Sequence, residues 1–85
     1  MQEHRVYTTS FQDFDSASEF KDRNCTGWIP LDGKQWIVRT VISVGNLKGP
    51  TTVQIELSEA HANSALPELD ADDLLLGAKL INTVT

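Results

Sequence analysis

A single cysteine, Cys25, leaves this chain without an internal disulfide. Small secreted domains usually depend on such staples. Long apolar runs are also missing, the longest being Trp36-Ile37-Val38 and Leu74-Leu75-Leu76. A membrane-spanning helix needs about 20 apolar residues, so none is expected. The first ten residues lack the basic stretch and apolar core of an export signal. The expected compartment is the cytoplasm, that of the host cell if the protein is viral.

Basic charge is scarce. Seven Lys and Arg stand against twelve Asp and Glu, a net charge of −5. Nucleic-acid affinity rests mainly on cations that neutralise phosphates. The seven cations are scattered from Arg5 to Lys79 with no basic run, so no direct nucleic-acid contact is expected.

Chemical motifs are missing too. The G-x-S-x-G elbow, the P-loop and the dinucleotide glycine fingerprint do not occur. His4, His61 and Cys25 share no metal-ligand spacing. Asp70-x-Asp72-Asp73 is the one dense carboxylate cluster, but it lacks the glycine and final glutamate of a calcium loop. Acidic residues at a helix N-terminus need no metal to explain them. Cys25 could pair with His4 or His61 only if the fold joined them. A buried structural thiol is the expected role of Cys25, and a surface or capping role that of His61. We therefore expect a non-enzyme with no metal and no cofactor.

What the chain does have is a hairpin. Trp28 to Val44 is two β-branched, apolar runs joined by Asp32-Gly33. A tight type I′ turn needs positive φ at both central residues, which Asp-Gly supplies. That turn sets Leu31 opposite Lys34, Ile29 opposite Trp36 and Trp28 opposite Ile37. Alternation then assigns Ile29, Trp36, Val38, Thr40, Ile42 and Val44 to a core face. Trp28, Ile37, Arg39, Val41 and Ser43 fall on the other. Trp28 is diagonal to Arg39, within reach of a cation–π contact. Pro30 has no N–H to give, which places its strand at an edge.

The flanks complete a small domain. Arg5–Thr9 reads as a strand. Phe11, Phe14, Ala17 and Phe20 recur every third residue, a helix whose start falls between residues 11 and 17. Ser10-x-x-Asp13 and Ser16-x-x-Glu19 compete to cap it, and Asn24 suits a left-handed C-terminal position. Gly45 to Pro50 reads as a loop. Val53, Ile55 and Leu57 alternate with Thr52, Gln54 and Glu56 in a half-buried strand. Ser58 is placed to cap a short helix running to Leu66, and Asp70 a second one ended by Gly77. Ala78–Thr85 closes the chain as a strand.

The expected fold is α+β, a mostly antiparallel sheet of about five strands in the order β-α-β-β-β-(short α)-β, with one helix on a face. A small, partly open barrel is the competitor. Either the helix covers one face and the C-terminal segment the other, or the second face is free. The chain's size and lack of motifs are shared with accessory proteins of phages and mobile elements. The expected function is a protein-binding inhibitor or adaptor. Its partner site is expected at Trp28, Ile37, Arg39 and Val41, with the acidic residues Asp70, Asp72 and Asp73. A structural subunit of a virion or tail is the alternative, and self-association is open under both.

Overall fold

A computed structural model describes residues 2–43, 50–60 and 65–84. Five strands form one antiparallel, open sheet: β1 (His4–Phe11), β2 (Gly27–Leu31), β3 (Lys34–Ser43), β4 (Thr51–Glu59) and β5 (Lys79–Val84). Their spatial order is β2-β3-β4-β1-β5. Two helices accompany them, α1 (Phe14–Arg23) and the single turn α2 (Ala71–Leu74). The edges β2 and β5 do not meet, so the sheet does not close into a barrel.

The hairpin has the register expected of its turn: Leu31 faces Lys34, Ile29 faces Trp36 and Trp28 faces Ile37. Asp32 and Gly33 have φ of 54° and 73°. Val44 and the loop that follows it lie outside the described residues, except Pro50.

Alternation decides the core. Ile29, Trp36, Val38, Val53, Ile55 and Leu57 are buried, and α1 adds Ala17 and Phe20 from above. Leu74 of α2 joins the same cluster, so both helices lie on one side of the sheet. Phe11 ends β1 and does not enter the helix; its ring lies 5.1 Å from that of Phe20.

Several local expectations are corrected. Neither serine caps α1. Asp13 does, its Oδ1 accepting the Ser16 N–H at 2.7 Å. This anion at a helix N-terminus is held below its ordinary carboxylate pKa by the Ser16 donors. Asn24 is not left-handed: its φ is −125° and its N–H bonds back to Lys21 and Phe20. Ser58 and Glu59 continue β4, because Glu59 N–H still finds Glu3 O at 2.9 Å. No helix starts there; residues 61–64, His61 among them, lie outside the described residues. Asp70 does cap α2, accepting from Asp72 and Asp73 N–H. The C-terminal segment does not cover the second face. It extends the sheet beside β1.

The β2 edge is closed by the chain itself. Trp28 N–H donates to Pro67 O at 3.0 Å, and Leu69 N–H donates to Trp28 O at 2.8 Å. This close approach requires Gly27, because a Cβ there would sit 2.6 Å from Leu69 Cγ and 2.7 Å from Pro67 O. The outer edge of β5 has no such cover among the described residues.

Candidate functional site

Cross-strand partners share a face, so the register lays out the side of the sheet that carries no helix among the described residues. One row runs Trp28, Ile37, Ser58, His4, Val84. The next runs Arg39, Glu56, Val6, Asn82, and a third Val41, Gln54, Thr8, Lys79. The centre of this face is polar. Its largest apolar cluster is at the β2–β3 end, where Trp28 and Ile37 are half-buried and Val41 is exposed, while Val6 and the exposed Val84 add apolar surface at the β1–β5 end. The structure thus brings Trp28, Ile37, Arg39 and Val41 together on one open surface.

The expected stacking of Arg39 on Trp28 is absent among the described residues. The cation–π contacts there are Arg5 over Trp36 at 4.7 Å and Arg23 over Phe20 at 5.8 Å. Diagonal neighbours on a sheet stand about 7–8 Å apart, and an exposed guanidinium gains more from water than from reaching across. The Arg39 side chain has no ion-pair partner among the described residues, although Glu56 is directly across from it.

The acidic residues lie elsewhere. Asp70 and Asp72 line a shallow cleft with Pro30, Glu68 and Leu69 at the β2 edge, around the corner from Trp28. Asp73 turns towards α1, where its Oδ2 is 3.7 Å from Arg23 Nη2. Two of the three carboxylates therefore line a cleft at the β2 edge, at the start of the helix that packs on the core side, and the third is an inter-helix pair.

The structure contains a charged cluster that the sequence does not announce. Arg5 belongs to the core side of β1, opposite buried Leu57. Its guanidinium lies on the Trp36 ring and is paired with Glu3 and with Asp32, the latter at 2.7 Å. Those two carboxylates, Asp32 first, hold Arg5 still further into its charged form. Lys34 adds contacts to Glu59 at 3.3 Å and Glu3 at 3.8 Å. Trp36 itself is fully buried, and its indole N–H donates to Leu31 O at 2.9 Å. The cluster seals one end of the core.

Two further groups bear on chemistry. Cys25 is exposed, not buried; Asn24 takes the interior position, its amide donating to Phe20 O. The reason is that Asn24 satisfies the end of α1 and its carbonyl accepts from the Thr40 hydroxyl. His4 Nδ1 is 3.0 Å from Ser58 Oγ, the spacing of a base and a nucleophile. That pair is exposed on the sheet, and neither residue lines the cleft at the β2 edge. His4 and Ser58 are directly opposite each other on β1 and β4, so their contact is a cross-strand hydrogen bond of the kind adjacent strands form.

Among the described residues, no group of three His, Cys, Asp or Glu side chains could hold a metal ion. No described helix is long and apolar enough to cross a membrane. No family model matches the sequence, and no curated protein or solved structure matches it either.

Proposed function

We propose that the protein is a non-enzymatic binding module, a small inhibitor or adaptor that docks a larger protein through the open sheet face around Trp28. The observation behind this reading is the one-sidedness of the sheet. Both helices and the whole apolar core are on one side. The other side presents an indole, two aliphatic side chains and a guanidinium with no ion-pair partner among the described residues, side by side. Trp and Arg are the residue types that most often dominate binding energy at interfaces. Asp70, Asp72 and Glu68 at the β2 edge would select a partner with cations beside its apolar anchor pocket.

The test is a double substitution, Trp28→Ala with Arg39→Ala. The bonds that tie Trp28 to Pro67 and Leu69 are made by its backbone, so they survive loss of the indole. Capture of a partner from the native lysate should fall at least tenfold while the circular dichroism spectrum stays native. Undiminished capture by the double variant would show that the partner sits elsewhere.

A second reading, a structural subunit of a larger assembly, has its own observation. Leu80, Ile81 and Val84 are 46%, 50% and 51% exposed on an edge strand that has no cover among the described residues.

A further inference from the structure

We infer that the outer edge of β5 pairs with the β5 of a second copy of this chain. The pairing would be antiparallel about a two-fold axis, making one ten-stranded sheet. The inference deepens the assembly reading above and is independent of the Trp28 face.

The two edges of the sheet are treated differently. β2 carries Pro30 and is closed by the 67–69 segment, which takes up backbone groups of Trp28. Among the described residues nothing pairs with the outer side of β5. An unpaired edge is a template for another strand unless it is blunted. Here the blunting is slight: Lys79 at the start of the strand, and a register shift against β1 that leaves Ile81 without a partner opposite it. Four of the five large apolar side chains exposed among the described residues, Leu76, Leu80, Ile81 and Val84, belong to this segment.

Charge selects a second copy as the occupant. The chain has twelve acidic residues and a net charge of −5, so most approaches of two copies are repulsive. From Leu74 onward there is no acidic residue, and Lys79 is the one charged side chain. In an antiparallel pair the two lysines fall at opposite ends, so like charges do not face each other across the ladder. The pairing also terminates. Once both β5 edges are used, the outer strands of the ten-stranded sheet are the two closed β2 edges, and a dimer results in place of a fibre. A two-fold axis that joins antiparallel strands edge to edge is perpendicular to the sheet. It leaves both open faces on the same side, with a Trp28 at each far end.

The test is sedimentation equilibrium of the wild-type chain over a concentration series, beside Ile81→Lys and Leu80→Lys variants. The expected result is a concentration-dependent dimer that both lysines dissociate, with unchanged circular dichroism. Amide exchange in residues 79–84 should slow as wild-type concentration rises, which reads the pairing without any variant. A wild-type chain that remains monomeric to about 1 mM overturns the inference. So does a dimer whose 79–84 amides exchange no more slowly than the monomer's. Trp28→Ala with Arg39→Ala should still dimerise, so failure of the docking reading and failure of this one are separately visible.

Discussion

The Arg5 guanidinium lies 4.7 Å from the centre of the Trp36 ring, from a strand two places away in the sheet. It closes the core at the end where the hairpin turns, and Asp32 of that turn is its ion-pair partner. The turn that aligns β2 with β3 is thereby tied to β1. The Asp32 carboxylate is well exposed, so its ion pair contributes little; the stacking on a buried ring contributes more.

Substituting Arg5→Ala should uncover Trp36. In a Trp28→Phe background Trp36 is the one remaining indole. Its emission should move to longer wavelength, with a loss of about 1–2 kcal/mol in urea unfolding. High salt should remove only a minor part of that difference, since stacking and packing are screened less than exposed charges. An unshifted emission maximum would mean that Arg5 does not shield the ring.

Gly27→Ala tests the closure of the β2 edge. A methyl group there overlaps Leu69 and Pro67 O, and backbone cannot swing aside as a side chain can. The expected cost is about 1–3 kcal/mol. Exchange of the Trp28 and Leu69 amides should accelerate more than that of β4, because the bonds across the closed edge are the ones pushed apart. Uniform acceleration through the sheet would contradict the local account.

The cap of α1 gives a pH signature. The folded-state pKa of Asp13 lies below the ordinary value of 3.8. A carboxylate with a depressed folded pKa stabilises the fold above its unfolded pKa, and the contribution disappears as pH falls through the folded value. Asp13→Ala should lower Tm at neutral pH. The gap from wild type should hold steady down to about pH 5 and shrink below 3.8. A gap independent of pH would show that the charge on Asp13 does not matter to the cap.

The hairpin was legible in the chain because its determinants are local. Asp32-Gly33 supplies two positive φ values, and a two-residue turn leaves one register. That register alone put Trp28, Ile37, Arg39 and Val41 on one face and Trp36 with Ile29 on the other. The alternation of Val53, Ile55 and Leu57 was equally readable, since a period of two needs no knowledge of neighbours. Helix ends were less so. Ser10 and Ser16 competed to cap α1 in the sequence; Phe11 held in β1 rules out Ser10, and Asp13 caps in place of either.

Tertiary structure decided the rest. Whether the Trp28 face is free depended on where the C-terminal strand went, and β5 joined the edge beside β1 when it could have lain across the sheet. Arg5 met Trp36 because β4 lies between their strands, a neighbour relation that no spacing along the chain encodes. His4 met Ser58 for the same reason, 54 positions apart. Local backbone preference and side-chain period are written residue by residue in a sequence. Strand order is set by which apolar faces bury one another at long range, and it is strand order that left β5 at an edge with no outer partner among the described residues.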